Sequence, residues 1–329
     1  MTAKRRIGPF TLGPIGLGCM SLSHAYGRPP DPAHSIRLLN HALDIGYDFL
    51  DSAALYGFGA NESLLGGAVG HRRSEYVLAS KCGMTGVDGR RVLDGRPETL
   101  LRTLDESLAR LRTEVIDLYY LHRWDKRVPI EESVGALGRM VESGKVRAIG
   151  LSEVSAATLR KAHQVHPIAA VQNEYSPWSR NVELGLLETA KELGIALVAF
   201  SPTARGFLAG RVRSEDELEE GDLRRTMPRF QGDNLARNLT LYDRFSQLAE
   251  DAGCTPAQLS LAWLLTRGDH VVPIPGTTSI RHLEENLAAG TFALSADVVD
   301  EIDALLEPGA VAGARYPEAA QADIDTEEF

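Results

Sequence analysis

The 329-residue sequence has few cysteines and no long apolar run. Its three cysteines, Cys19, Cys82 and Cys254, lie far apart and form no Cys-x-x-Cys pair, so we expect free thiols in a reducing compartment rather than a disulfide framework. No stretch approaches the roughly 20 apolar residues of a membrane-spanning helix, and the basic first residues are not followed by the apolar run of a secretory signal. The sequence therefore predicts a soluble, cytoplasmic protein.

Positive charge is also scarce. The chain has 35 lysines and arginines but 45 aspartates and glutamates, which gives a formal net charge of -10. Such a surface repels phosphate backbones and anionic lipids, so neither nucleic acid nor a membrane is expected as a partner. His163 and His166 lie close in sequence, but no cysteine or acidic cluster accompanies them, so no metal site is predicted. A small-molecule substrate fits this composition, and the sequence leaves the oligomeric state open, homo-oligomers included.

Hydrophobic residues make up 43% of the chain, which is enough for a large core. Eight short apolar runs alternate with amphipathic segments, and this alternation predicts parallel strands connected by helices. Eight is the number of strands that closes a (β/α)8 TIM barrel of the α/β class, and an open doubly wound sheet is the alternative. The predicted strands are Ile15–Gly18, Tyr47–Leu50, Val77–Ser80, Ile116–Leu121, Val146–Gly150, Ala169–Gln172, Ile195–Phe200 and Val271–Ile274.

Three segments exceed the strand–helix repeat. Residues Arg5–Leu12 predict a short N-terminal hairpin, Thr203–Asn234 form a long charged loop after the seventh strand, and Pro308–Phe329 form an acidic tail. Extra helices are predicted between the loop and the tail. Long loops in compact domains are usually lids or binding loops. Because no linker divides the chain, we expect a single barrel domain over residues 1–329.

Four reactive side chains lie at or just beyond the carboxyl ends of neighbouring predicted strands, where a barrel of this type places its active site. They are Asp51, Tyr56, Lys81 and His122. A lysine that continues an apolar strand face is costly unless it is paired, and Asp51 on the adjacent strand is its natural partner. Each residue alone has an ordinary structural interpretation, such as a buried ion pair or a core histidine. Their joint placement favours an active site.

The four residue types suit carbonyl reduction. Tyr56 would donate the proton, and a neighbouring lysine ammonium would lower the pKa of the phenol. His122 would orient the carbonyl oxygen, while Asp51 would keep Lys81 charged. None of these side chains can supply a hydride, so a nicotinamide cofactor is required.

With these residues in place, the sequence resembles the aldo-keto reductase family. Asp51, Tyr56, Lys81 and His122 match the family's catalytic tetrad within the stretches Phe-Leu-Asp-Ser-Ala-Ala-Leu-Tyr-Gly, Ala-Ser-Lys-Cys-Gly and Asp-Leu-Tyr-Tyr-Leu-His. The resemblance implies a (β/α)8 barrel, NADPH as cofactor, and reduction of an aldehyde or ketone to an alcohol. Potassium-channel β subunits share the fold and the tetrad, so an NADP-binding regulatory subunit is the alternative. The lack of a membrane segment and of a long N-terminal extension favours the enzyme.

The resemblance also implies a cofactor site at the remaining strand ends. Ser152 and Gln172 would hold the nicotinamide amide, and Phe200 would stack on its ring. Residues of the following loops would contact the phosphates and the adenosine, with Gly206–Asn234 as a hypothetical lid. These residues are Ser201, Pro202, Arg205, Gly276, Thr277, Thr278, Ser279, His282, Glu285 and Asn286.

Two residues depart from the family's common pattern, and three others are candidates for substrate contacts. Glu153 stands where many family members have asparagine beside the cofactor amide. His282 falls where an arginine often binds the 2′-phosphate, which leaves NADH open beside NADPH. Met20, Trp124 and Trp178 follow strand ends and are expected to form an apolar substrate wall.

Overall fold

A computed structural model describes residues 4–87 and 90–329. Its centre is a sheet of eight parallel strands, flanked by two antiparallel hairpins. The strands, in chain order, are β1 (Arg5–Ile7), β2 (Phe10–Leu12), β3 (Leu17–Gly18), β4 (Phe49–Asp51), β5 (Val77–Cys82), β6 (Met84–Val87), β7 (Arg90–Leu93), β8 (Ile116–Leu121), β9 (Val146–Ser152), β10 (Ile168–Glu174), β11 (Ala196–Phe200) and β12 (Val271–Pro273).

The central sheet closes on itself. Its strands follow the order β3-β4-β5-β8-β9-β10-β11-β12, and a parallel bridge from Gly18 to Gly276 joins the first strand to the segment after the last. The backbones approach so closely there that a Cβ on Gly18 would lie 2.8 Å from the carbonyl oxygen of Ile274. Glycine is therefore required at Gly18. This contact between Gly18 and Gly276, where the barrel closes, is called the seam below. The predicted (β/α)8 barrel is confirmed.

The β1–β2 hairpin closes the amino-terminal end of the barrel. Ile7 and Leu12 pack into the same inner cluster as Phe49, Leu118 and Tyr120 of the barrel strands. The residues around the hairpin also contact the beginnings of strands: the Gly13 amide donates to Asp48, directly before β4, at 2.9 Å. The opposite, carboxyl-terminal end is left to hold a site.

Helices cover the outside of the barrel. They are α1 (Pro32–Asp44), α2 (Ala60–Val69), α3 (Pro97–Leu111), α4 (Ile130–Glu142), α5 (Ala156–Val165), α6 (Leu186–Glu192), α7 (Gly232–Asp251), α8 (Pro256–Thr266), α9 (Ile280–Ala288), α10 (Ala296–Leu305) and α11 (Glu318–Gln321). Within the described residues, no helix is both long and apolar enough to cross a bilayer.

The sequence patterns do not indicate α2 or the β6–β7 hairpin. Helix α2 contains small and apolar residues on most sides instead of one apolar stripe, because Gly66 packs directly against the backbone of α3, where a Cβ would lie 2.4 Å from the Arg110 carbonyl oxygen. The hairpin strands have four residues each, and Arg90 and Arg91 are exposed. Neither element shows the apolar periodicity by which the others are recognised.

The long loop after β11, residues 203–234, is here called the insertion, and residues 308–329 the tail. The insertion folds into short turns that bury Phe207, Met227 and Phe230. It also reaches the loop that precedes α1, since the Leu223 amide donates to the Ala25 carbonyl oxygen at 2.9 Å. Thus the insertion lies across the carboxyl-terminal side of the barrel.

Candidate active site

The structure brings the four predicted catalytic residues together. Asp51 ends β4, Lys81 lies within β5, and His122 directly follows β8. Lys81 is fully buried and its ammonium pairs with Asp51 Oδ1. The same nitrogen donates to the Ser52 carbonyl oxygen at 2.8 Å and to Tyr56 Oη at 3.2 Å. All three ammonium donors are therefore used.

Tyr56 is held by an unusual turn. The three residues that follow it have positive φ values of 56° for Gly57, 52° for Phe58 and 93° for Gly59. Phe58 is a non-glycine residue in this region, which is uncommon and marks a locally constrained backbone. The turn places the Tyr56 ring edge-on to His122, with the ring centroids 5.8 Å apart. The phenol, the ammonium and the imidazole thus share one pocket.

Burial and charge act in opposite directions on Tyr56 and Lys81. Burial raises the pKa of Tyr56, and the Lys81 charge opposes this rise without cancelling it. The predicted lowering by lysine is present, but it is the smaller effect. Burial alone would lower the pKa of Lys81, yet the Asp51 carboxylate raises it above the ordinary value. The ammonium consequently stays charged and the phenol stays protonated in this state.

His122 is a neutral residue. Burial first, and then the charges of Arg123 and Lys81, hold its pKa well below the ordinary value. Its backbone amide donates to the Cys82 carbonyl oxygen at 2.8 Å, which holds the backbone at the end of β8. A neutral imidazole beside Tyr56 can donate a hydrogen bond to a substrate oxygen without carrying a charge.

This neutrality predicts a pH effect on folding. The unfolded chain binds a proton at His122 below about pH 6.5, whereas the folded chain does not, so the free energy of unfolding falls there by up to about 1.4 kcal/mol per pH unit. His122→Gln should remove this contribution, as measured by urea unfolding between pH 7 and pH 5. The exposed His71→Gln variant is the control and should keep the wild-type slope. Equal slopes for His122→Gln and wild type would contradict the prediction.

Gln172 and Ser152 lie beside these four residues. Gln172 Nε2 donates to Asp51 Oδ2 at 2.8 Å, so the amide is part of the same hydrogen-bond network. Ser152 Oγ accepts from Arg123 Nη1 at 3.1 Å, and Arg123 also contacts the His122 carbonyl oxygen at 2.6 Å. Arg123, which the sequence patterns do not indicate, therefore connects the two halves of the site.

The residues at the end of β11 and in the loop after it are only partly exposed. Phe200 is half-buried, Ser201 has a positive φ of 50°, and the Pro202 carbonyl oxygen accepts from Ser260 at 2.6 Å. Arg205 is buried in an ion cluster, where it donates to Glu174 Oε2 at 2.9 Å and to Tyr316 Oη at 2.9 Å. The structure thus pairs the Arg205 side chain with one carboxylate and one tyrosine hydroxyl.

The segment from Gly276 to Asn286 forms a separate region next to the barrel seam. Gly276 and Thr278 are exposed, and Ser279 caps α9 by accepting from the His282 amide at 3.4 Å. Thr277 Oγ1 accepts from the Ser279 amide at 3.0 Å. Exposed amides at a helix N-terminus suit a phosphate.

Further along α9, the side chains are already engaged. Glu285 Oε1 accepts from Thr255 at 2.7 Å, and His282 Nε2 contacts Arg281 at 2.9 Å. Asn286 is buried.

The structure places the three residues of the predicted apolar wall in different surroundings. Met20 and Trp124 are half-buried near the strand ends. Trp178 instead packs inside the insertion, with its ring centroid 4.4 Å from that of Phe207 and 5.9 Å from that of Phe230. It is buried there because the insertion needs its own small core.

Comparisons with known proteins agree with this architecture. Residues 14–307 match the family model described as Aldo/keto reductase family. A curated relative, aldo-keto reductase yakc [NADP(+)] of Schizosaccharomyces pombe, is 44% identical over 327 residues, covering 97% of this chain and 96% of the relative. The solved glycerol dehydrogenase AKR11B4 from Gluconobacter oxydans superposes with a TM-score of 0.84 at 28% identity, covering 93% of this chain and 95% of the other. Aldo-keto reductase AKR11C1 from Bacillus halodurans gives 0.74 at 26% identity, covering 97% and 99%.

Proposed function

We propose that this chain, which belongs to the aldo-keto reductase family, reduces an aldehyde or ketone to an alcohol with hydride from NADPH and a proton from Tyr56. The observation that supports this proposal most strongly is that the Lys81 ammonium contacts both the Asp51 carboxylate and the Tyr56 hydroxyl. The name of the curated relative includes NADP(+), which supports this cofactor.

Each side chain has a distinct role in the proposed reaction. A bound nicotinamide supplies the hydride. Tyr56 gives its proton to the carbonyl oxygen, and Lys81 stabilises the phenolate that remains because it already donates to Tyr56 Oη. His122 donates a hydrogen bond to the same carbonyl oxygen as negative charge develops there. Asp51 keeps Lys81 charged and in place.

The proposed cofactor site runs from the tetrad to α9. Ser152 and Gln172 offer a hydroxyl and an amide for the carboxamide, with Phe200 as a stacking surface. Gly276 and Thr278 are exposed just before the N-terminus of α9, and a helix N-terminus suits a phosphate, which supports the fit of a nicotinamide dinucleotide. Ser201, Pro202, Thr277, Ser279, His282, Glu285 and Asn286 complete the proposed contacts. Arg205 would join them only by sharing its guanidinium with Glu174.

We also propose that the protein is cytoplasmic. Cys19 and Cys82 are buried thiols and Cys254 is half-buried, and none of the three is in a disulfide. Such thiols fit the reducing environment of the cytoplasm.

Titration with NADPH and NADH, followed by turnover on a panel of small aldehydes, tests the proposal. We expect saturable binding of NADPH and oxidation of NADPH that depends on the aldehyde. A protein that binds neither nucleotide would exclude the proposed function. Binding without turnover on any aldehyde or ketone would instead favour a regulatory role.

A further inference from the structure

A buried ion cluster joins the tail to the ends of β9 and β10. Arg315 Nη2 donates to both oxygens of Glu153, at 3.0 and 2.9 Å, and contacts Glu174 Oε2 at 3.3 Å. Glu153 is 1% exposed, Glu174 3% and Arg315 7%. Two carboxylates at this depth require cations nearby, because a buried charge without a partner is strongly unfavourable.

Glu153 forms hydrogen bonds to the end of β10 on both sides of Asn173. Its amide donates to the Gln172 carbonyl oxygen at 3.0 Å, and its Oε1 accepts from the Glu174 amide at 2.9 Å. Its φ of 54° lies in the left-handed region, which a non-glycine residue adopts only when its surroundings hold it there. Arg315 is the cation that keeps the Glu153 side chain in this position.

The contacts continue from Glu153 to the tetrad. Gln172, whose backbone Glu153 binds, donates through its side chain to Asp51, which pairs with Lys81. Ser152 directly precedes Glu153 in the chain. A change at Arg315 therefore reaches Ser152 and Gln172 through one intervening residue.

The tail backbone is fixed at the same strand ends. The Asp325 amide donates to the Glu153 carbonyl oxygen at 2.9 Å, and its carboxylate accepts from the Ser155 amide at 3.0 Å. Thr326 Oγ1 accepts from Asn173 Nδ2 at 2.9 Å. These bonds seat the tail beside the ion cluster without any contribution from Arg315.

We propose that Arg315 is a positioning residue that acts through Glu153 to hold Ser152 and Gln172 in the arrangement that binds the nicotinamide cofactor. This inference rests on the proposed function, since it takes those two residues as cofactor contacts. Arg315 also pairs with Glu174, and Glu174 pairs in addition with Arg205 of the insertion.

The test measures NADPH affinity in the full-length protein. Arg315→Met leaves Glu153 without a cation, and displacement of the β9 end should raise the Kd and KM for NADPH roughly 10- to 100-fold, with a smaller effect on kcat. Arg315→Lys should retain most of the affinity, because all three wild-type bonds come from the single nitrogen Nη2. The double variant Arg315→Met with Glu153→Gln removes both charges and should restore the Kd to within about threefold of wild type.

Arg73→Met is the control. Arg73 pairs with the buried Asp117 at 2.5 Å, near the start of β8 and therefore at the opposite end of the barrel. Arg147 also pairs with Asp117, at 3.1 Å. The loss of Arg73 should lower stability and leave the Kd for NADPH unchanged. Arg315→Met with reduced stability and wild-type Kd would overturn the inference, because Arg315 would then be only structural.

Two further outcomes keep the test decisive. Should Arg315→Met fail to fold, a folded double variant that still binds NADPH weakly would also overturn the inference, whereas near-wild-type binding would support it. If the wild-type protein itself binds no nucleotide, the proposed function fails; if wild type binds and Arg315→Met binds equally well, only the role of Arg315 is wrong.

Discussion

Replacing Tyr56 with phenylalanine is expected to lower kcat for aldehyde reduction roughly 10²- to 10⁴-fold, the usual contribution of a positioned proton donor. The substitution removes only the hydroxyl that Lys81 contacts at 3.2 Å, while the ring can keep its edge-on contact with His122. NADPH affinity should remain close to wild type, because the proposed cofactor contacts lie at other strand ends. Steady-state kinetics and a fluorescence titration with NADPH measure the two effects.

Tyr76→Phe is the matched control for this loss. Tyr76 is also buried, and it lies just before β5, far from the carboxyl-terminal end of the barrel. Its hydroxyl donates to the Val69 carbonyl oxygen at 3.4 Å. It should keep the wild-type kcat. A Tyr56→Phe enzyme with normal turnover would remove Tyr56 from the mechanism.

Replacing Lys81 with methionine should lower both stability and activity. Asp51 would remain buried with its charge opposed by no cation, and breaking a buried ion pair in this way costs about 3–5 kcal/mol of unfolding free energy. Reduction should also fall steeply, because no charge would stabilise the Tyr56 phenolate. Urea unfolding and kcat measured on the same preparation test both effects.

The double variant Lys81→Met with Asp51→Asn separates these two effects. It removes the unpaired carboxylate, so much of the lost stability should return, while the reduction rate should stay low. A double variant as unstable as Lys81→Met would show that the ion pair is not the source of the loss. Normal activity in either variant would contradict the proposed role of Lys81.

The barrel and the tetrad could be predicted because both follow from local patterns. Alternating apolar runs define strands, and a parallel barrel brings all strand ends to one face, so Asp51, Lys81 and His122 could be placed together from sequence. The family prediction that followed is confirmed by the comparisons. The roles of the individual catalytic and cofactor residues remain predictions.

The ion cluster at the end of β10 could not be predicted in the same way. Glu153 is visible in the sequence as a carboxylate directly after a strand, but Arg315 lies 162 residues away in a tail without strand periodicity. Any of many arginines could have been its partner. The net direction of the Tyr56 pKa shift was likewise inaccessible, since it depends on how deeply the hydroxyl is buried as well as on the charges around it.

The Gly18–Gly276 seam has a consequence for biosynthesis. The barrel cannot close until Gly276 has left the ribosome, and at roughly 5–20 residues per second most of the chain needs on the order of tens of seconds to appear. During that interval β3 has no partner on its outer edge, and the emerging sheet presents an unpaired strand to other chains. Closure also joins residues of very large sequence separation, and pairing of this kind is generally slow. The nascent protein is therefore most exposed to intermolecular pairing before its last barrel strand is made.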